Sequence, residues 1–401
     1  MSWPVPGALA FVSPRYGKEV AAGAETVVRE LAERLVKRDL PVEVLTTCAV
    51  DHYTWANAYP EGQSFENGVP VRRFRIQRGK GIDHQSIGGR IYAGLPTSLE
   101  EQERWLNDGF RSAGIFHHLM RAHREYHTIL LTPYMFWTTY ACAQIAPQKN
   151  VLRPCLHDEP EARLEIYRPI FRDARGITFN SPPESELAHR ILELPKRTDV
   201  VGEGIEIAEG HEAERFRVAH GISEPFLLYV GRRELGKNLP LLLQCFERLL
   251  DAGRTDLRLV LIGVGDTPVP PRLRPWTVDL GFVDERTKHD ALRAALAVVQ
   301  PSERESFSRV LMESWVAGTP VLVYAGGAVT SYHARTSKGG LVFRDPVEFQ
   351  VAVELLQLQP EVRAELGRNG RRYVLERYTW ETVTGRFIDA IASWASEDAG
   401  K

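Results

Sequence analysis

Glu305 and Glu313 stand eight residues apart in Pro301-Ser-Glu-Arg-Glu-Ser-Phe-Ser-Arg-Val-Leu-Met-Glu313-Ser-Trp-Val-Ala-Gly-Thr-Pro-Val321. The preceding apolar run, the polar turn, the helical pattern and the Gly-Thr-Pro exit predict a strand, a loop, a helix and another strand. That is the layout of a ligand-binding α/β crossover, where ligands sit outside the carboxyl ends of strands and a following helix offers free N–H groups to an anion. Two carboxylates at such a place repel phosphate and accept hydrogen bonds instead, so sugar hydroxyls are the partner they suit. The alternative is that Glu305 is a helix-start acid favoured by the dipole and Glu313 a solvated helical residue.

A second group carries the opposite charge. Gly231-Arg-Arg-Glu-Leu-Gly-Lys237-Asn238 directly follows the expected strand 226–230, and Arg232 and Lys237 can converge on one anion from a single loop. Arg supplies a planar fork and Lys a point charge. Fixed cations of this kind stabilise a diphosphate leaving group as its negative charge grows. The alternative is a solvated basic loop, and Arg233 is expected to face water. His157 closes the expected strand 151–156, again a carboxyl-end position; a structural histidine is the competing reading. His157-Asp158-Glu159 is the nearest thing to a metal cluster, but three consecutive residues do not converge on one ion from a regular element. No D-x-D triplet that would hold a divalent ion on a diphosphate occurs, so no metal site is expected. His117, His118, His123 and His127 are expected on one helix, without an H-E-x-x-H arrangement. Gly263-Val-Gly265 has Pro268 where a dinucleotide fingerprint needs glycine or alanine, so NAD is not expected there.

Positioning these groups requires two α/β units. A chain of 401 residues with 43% hydrophobic and 25% charged content is an ordinary globular composition, too long for one typical core. The expected strands of the first unit are 7–13, 41–46, 69–76, 128–132, 151–156, 176–180 and 198–201, with a β-α-β opening that implies a parallel sheet and right-handed crossovers. Residues 205–224 are polar and weakly periodic and are expected to be a linker. A second series follows, with strands at 226–230, 257–262, 276–280, 297–300, 320–323 and 341–343. Helices are expected near 239–251, 285–295, 307–317, 346–356, 360–374 and 380–396.

A net charge of −2 gives no global pull toward nucleic acid or anionic lipid. No apolar run approaches the roughly 20 residues that span a bilayer. The opening Met-Ser-Trp-Pro-Val-Pro lacks the basic start and apolar stretch of a signal peptide, so the cytoplasm is the expected location. Cys48, Cys142, Cys155 and Cys245 are scattered without a C-x-x-C pair, which suits buried thiols rather than a zinc site or disulfide framework.

The segment from Glu305 to Glu313 closely resembles the E-x7-E signature of glycosyltransferase family 4, retaining enzymes of the GT-B fold, and the resemblance extends along nearly the whole chain. It implies two Rossmann-like parallel-sheet domains facing a central cleft: residues 1–204 on the acceptor side, the linker 205–224, a nucleotide-sugar-binding domain over 225–379, and a C-terminal helix over 380–401 that returns to the first domain. The loop at Arg232 and Lys237 is similar to the family's diphosphate-binding G-R-x-x-x-x-K-N loop. His157 is similar to the strand-end histidine beside the reacting carbon of the donor sugar. Gly23 matches the second glycine of the family's G-G loop, with Ala22 replacing the first. Ser306-Phe307-Ser308 stands where the family often has Gly-Phe-Gly, with backbone N–H groups facing the diphosphate and sugar. By the same resemblance Glu305 accepts from hydroxyls of the transferred hexose and Glu313 from the ribose. An uninterrupted helix would set the two about 12 Å apart, which suits the two ends of a nucleotide sugar and not a pair of close glycosidase carboxylates. Gly281-Phe282-Val283-Asp284 resembles the loop that reads the nucleobase, with Gly263 in its companion loop.

The expectation is therefore a retaining, metal-independent hexosyltransferase that needs no cofactor. Its donor is a nucleotide-diphosphate sugar, UDP-linked in preference to GDP-linked, and its acceptor a glycan, glycolipid or metabolite hydroxyl. Two rivals are a nucleotide-sugar epimerase of the same fold and a catalytically silent sugar-nucleotide-binding protein. On the acceptor side, Arg72, Arg73, Arg75, Arg78 and Lys80 precede a helical segment with Trp105, Phe110, Phe116 and Met120. Together they would suit a lipid-linked acceptor at an anionic membrane surface. The preferred alternative is an edge strand guarded by charge beside a core-facing helix.

Overall fold

The computed structural model describes residues 7–20, 23–77 and 79–399. Residues 1–6, Ala21, Ala22 and Arg78, on which some of these expectations fall, lie outside that set. The chain divides into two compact units, the first comprising the residues up to Gly204 together with those from Val383 onward, the second Ile205–Thr382.

In the first unit β1 (Ala8–Val12), β2 (Val42–Thr47), β3 (Gly62–Glu66), β4 (Val69–Phe74), β5 (Tyr126–Leu131), β6 (Asn150–Leu152), β7 (Gly176–Phe179) and β8 (Thr198–Val200) form one sheet in the order β3-β4-β2-β1-β5-β6-β7-β8. All neighbours are parallel except β3, which pairs antiparallel with β4 through the turn at Asn67-Gly68. β3 was not expected. It takes the edge position, so the arginines of β4 lie one strand inside: Arg73 is buried and paired with Glu66, and Arg72 bonds Glu43 at 3.0 Å. β6 stops at Leu152, short of the expected Leu156, because Pro154 has no N–H for the ladder and Cys155 turns the chain with φ +54°. His127 lies in β5 and not on the helix Ala113–Ala122 that carries His117 and His118. The final helix, Trp380–Ala399, packs on this unit: Phe387 meets Phe11 edge-on at 6.1 Å, Trp394 covers Gly176, and Glu397 bonds Arg197 at 2.8 Å.

The second unit is an all-parallel sheet of β9 (Phe226–Val230), β10 (Arg258–Ile262), β11 (Thr277–Gly281), β12 (Ala297–Gln300), β13 (Val321–Tyr324) and β14 (Gly340–Phe343), ordered β11-β10-β9-β12-β13-β14. β9, β12 and β10 are buried along nearly their whole length, as continuous apolar strands covered on both faces must be. Alternate residues Leu227, Tyr229, Leu259, Leu261 and Val299 share one face with Leu242, Phe246 and Leu249 of the helix Leu239–Asp251. Part of the expected linker is ordered: Ala213–His220 is a helix, tied down where Arg215 and Glu212 N–H both bond the buried Asp290. Among the described residues no helix is long and apolar enough to cross a membrane. Cys48, Cys142 and Cys245 are buried free thiols, and Cys155 is half-buried.

Candidate functional site

The strand order of the second unit reverses between β9 and β12, and the loops leaving these two strands flank the switch point where ligands of such sheets bind. One loop is 231–238, the other 301–308. Lys237 from the first bonds Glu305 of the second, Nζ to Oε1, at 2.7 Å. The two charges the sequence singled out are thus brought together, and both side chains are mostly buried, 23% and 11% exposed. A buried carboxamide stands behind them: Gln300, the last residue of β12, reaches Glu305 Oε1 at 3.4 Å and Ser308 Oγ at 3.5 Å, contacts at the long limit of a hydrogen bond.

Glu305 is not on a helix. The helix begins at Arg309, two residues later than expected, because Phe307 is drawn into the core against Tyr378 at 5.0 Å and His333 at 5.4 Å. Ser308 then takes φ +72° at the cap position, with no side-chain cap bond. The 12 Å of uninterrupted helical rise between the glutamates therefore does not apply. His333 is fully buried, and burial pushes its imidazole down to about 3, so this wall of the loop stays neutral.

Glu313 lies on the helix Arg309–Val316 and is mostly buried, 13% exposed, not solvated. Lys288 of the helix Glu285–Ala294 approaches its Oε2 at 3.0 Å and Glu285 at 2.8 Å. Burial alone would push the Glu313 carboxyl up; Lys288 and Arg309 pull harder and hold it below its ordinary value. The same pairing raises the Lys288 ammonium against the lowering effect of its own burial. Lys288 was missed by sequence inspection. Nothing in its local sequence points to a site, and only the crossing of two helices brings it to Glu313.

Arg232 is about half exposed and pairs with Glu234 at 2.8 Å. Arg233, expected to face water, is buried and grips Asp279 of β11 with both terminal nitrogens, Nη1 at 2.7 Å. It braces the loop, and its guanidinium draws the Asp279 carboxyl below the ordinary range. Gly263 sits where a β-carbon would lie 2.0 Å from the Gly231 carbonyl oxygen, and at φ +121° only glycine is unstrained. The loops after β9 and β10 can pass each other only because it has no side chain. Phe282 is 75% exposed beyond β11, Val283 is half-buried, and Asp284 caps the next helix by accepting from Thr287 N–H at 2.8 Å.

In the first unit, Gly23 opens the helix Gly23–Val36, and a β-carbon there would meet nothing within 4 Å. Glu25, two residues on, is buried against Arg15 (Nε to Oε1, 3.0 Å). His157 stands five residues beyond β6, its Nδ1 3.6 Å from Glu159. Glu159 also accepts from Tyr134 at 2.9 Å, whereas Asp158 turns away to Arg163 and Arg190, so of the three consecutive residues His157 and Glu159 approach each other and Asp158 does not join them. The segment leading to His157 is anchored from below: buried Glu184 accepts from Leu156 N–H at 2.6 Å and Asn180 N–H at 2.5 Å. Burial pushes the Glu184 carboxyl up to about 7 against the pull of those two donors.

Residues 211–373 match the family described as glycosyl transferases group 1. Over 420 aligned residues the chain is 30% identical to the D-inositol 3-phosphate glycosyltransferase of Acidothermus cellulolyticus, covering 93% of this chain and 86% of that one. Its fold is similar to that of sucrose-phosphate synthase from Thermosynechococcus elongatus, with a TM-score of 0.71 at 18% identity over 98% of this chain and 100% of that one. It is also similar to Anabaena HepE solved with UDP and glucose, with a TM-score of 0.70 at 14% identity over 96% and 100%. The signature glutamates, the interlocked glycine loops and these likenesses agree: the chain belongs to the family-4 glycosyltransferases of the GT-B fold.

Proposed function

We propose that this glycosyltransferase moves a hexose from a nucleotide-diphosphate sugar, UDP-linked in preference to GDP-linked, to an acceptor hydroxyl, with retention at the anomeric carbon and without a divalent metal. The bond from the anomeric carbon to the diphosphate oxygen breaks with its electron pair leaving on the diphosphate. The acceptor oxygen bonds the same face of that carbon, and its proton passes to a donor phosphate oxygen. Lys237 and Arg232 stabilise the charge that grows on the leaving group. Glu305 accepts from hexose hydroxyls, and His157 lies beside the reacting carbon. Backbone N–H groups of Ser306, Phe307 and Ser308 face the diphosphate and the sugar, and Gly23, lacking a side chain, lets phosphate or acceptor approach the backbone. Glu313 accepts from the ribose, while Gly263, Phe282 and Val283 hold the base.

The observation that carries this is the Lys237–Glu305 pair across the β9/β12 switch point. A cation for phosphate and an acceptor for hydroxyl, already in contact, match the junction of a sugar and its diphosphate. Glu313 is held ionised by Lys288, which keeps it an acceptor. The preference for UDP draws on the UDP found with the HepE relative of the fold.

A thermal-shift panel of UDP-, GDP-, ADP- and dTDP-sugars identifies the donor. At a hundredfold excess over its dissociation constant, the cognate ligand stabilises the protein by about 2.7 kcal/mol. NMR of the product's anomeric centre then gives retention, with the rate unchanged by added chelator. An inverted product, or activity abolished by chelator, overturns the mechanism.

A further inference from the structure

The first unit contains a cavity of about 200 Å³ that none of the donor groups touches. Its walls are aromatic: Trp55, Tyr92, Trp105, Phe110, Phe136 and Trp137. These residues come from segments that follow β2, β4 and β5, so the cavity opens at the carboxyl ends of the strands. The order of this sheet reverses between β1 and β5, and the wall includes the loop leaving β5. It therefore stands at the ligand-binding position of its own α/β sheet.

Three features mark it as built rather than left over. Trp55 is held at φ +52°, a conformation that costs a bulky side chain energy and persists only where its surroundings enforce it. Those surroundings are Phe110 stacked on it at 5.0 Å and 19°, Phe136 at 5.5 Å, and the Arg15 guanidinium 5.3 Å from the ring centre. On the other wall His84 stacks on Trp105 at 5.6 Å and 12°, its Nδ1 2.9 Å from the Trp105 carbonyl. Burial lowers the His84 imidazole, which favours the neutral form of that ring. Finally, two of the indole N–H groups are accounted for within the protein: Trp137 Nε1 bonds Asn107 at 2.9 Å, and Trp105 Nε1 is buried, without a partner among the described residues. Ring faces dominate the lining, with Lys80 and Glu161 as its charged groups among the described residues.

We propose that this cavity is a subsite for a flat aromatic ring carried by the acceptor. Resting on the proposed glycosyl transfer, the inference narrows the acceptor class to hydroxyl compounds bearing an aryl group. An aliphatic cavity of about 150 Å³ takes a benzene-sized guest, so about 200 Å³ accommodates one substituted ring and not two fused to a bulky frame. Aromatic pairs prefer offset-stacked and edge-to-face contacts, and both wall orientations are present. A phosphorylated polyol fits poorly, since among the described residues Lys80 is the one ammonium or guanidinium on the lining and Glu161 sets a carboxylate there.

The probe is 4-nitrophenyl β-D-glucoside, titrated against intrinsic tryptophan fluorescence, with methyl β-D-glucoside as the ring-free control. Saturable quenching by the aryl glucoside, with affinity at least tenfold above the control, is expected. Tyr92→Ala changes an exposed rim residue and Trp137→Leu a half-buried one. Each is expected to lower aryl affinity about tenfold with an unchanged melting temperature. Equal affinity for the two glucosides, or full aryl affinity in both correctly folded variants, overturns the subsite. Hydrolysis of UDP-glucose by the wild-type protein is measured in parallel. Its absence together with aryl-specific binding overturns the donor assignment and leaves the subsite standing, so the two failures are separable.

Discussion

The two units carry their candidate ligand groups in segments that follow the carboxyl ends of parallel strands, yet with opposite chemistry. In the second unit the groups are charges in contact: Lys237 with Glu305 and Lys288 with Glu313, braced by Arg233 on Asp279. In the first they are mainly aromatic rings around a cavity whose lining also carries Lys80 and Glu161, while Arg15 and Arg73 are paired with Glu25 and Glu66. The difference teaches that one sheet architecture sets where a ligand goes and the loop chemistry sets what it is. Buried ion pairs cost desolvation that their attraction only partly offsets, and both units hold them: Arg15–Glu25 is the more deeply buried but lies outside the cavity lining, whereas Lys237–Glu305 joins the two loops at the switch point. Stacked rings carry no such cost and suit a neutral guest.

The contrast is broken hardest at Glu313. Glu313→Ala leaves Lys288 buried beside Glu285 alone, and a loss of about 3–5 kcal/mol in urea unfolding is expected, as for other broken buried pairs. Replacing both residues, Lys288→Met with Glu313→Leu, recovers most of it. Should the double variant stay as unstable as the single one, the pair is not the source. Lys237→Ala acts on activity instead. Donor turnover is expected to fall about 10²–10³-fold, the loss typical of one transition-state donor, while Lys237→Arg retains part of it. Unchanged donor hydrolysis in Lys237→Ala removes that residue from the site.

In the first unit the sensitive charge is Glu184, and its pH dependence has a definite sign. The folded protein binds its proton up to about pH 7, the unfolded chain only up to its ordinary value near 4.5. Between those values the native state holds more protons, so stability declines as pH rises, by a total on the order of 3 kcal/mol. Glu184→Gln is expected to flatten stability measured by urea unfolding across that window; an unaltered slope assigns the titration elsewhere. The mildest test is salt. Raising it from about 0.1 M to about 1 M shortens the screening length from about 10 Å to about 3 Å. Nucleotide-sugar affinity is expected to weaken severalfold while aryl glucoside affinity holds, and parallel changes in both would erase the distinction between the units.

Legibility in the sequence followed the same division. The second unit was readable because its contacts begin in short loops directly after apolar strands: Phe226–Val230 announces the loop to Lys237, and Ala297–Gln300 announces Glu305. What failed there were details fixed by packing. Arg233 looked solvated because nothing local reveals Asp279 46 residues away. The helix expected from Phe307 starts at Arg309 because a core pocket claims the Phe307 ring. In the first unit Trp105 and Phe110 were visible only as apolar residues beside a basic stretch. Their cavity draws on residues from His52 to Glu161, and no spacing rule joins segments that far apart.

The sequence by itself determined two α/β units built on parallel strands, the family signature and the charged residues of the loops after Val230 and Gln300, because periodicity and loop motifs act over a few residues. Tertiary structure alone decided which charges meet, that Glu313 is mostly buried against Lys288, that β3 takes the edge, and that six distant aromatic residues enclose one cavity. Those outcomes depend on strand order and helix crossing, which bring together side chains that the linear chain keeps apart.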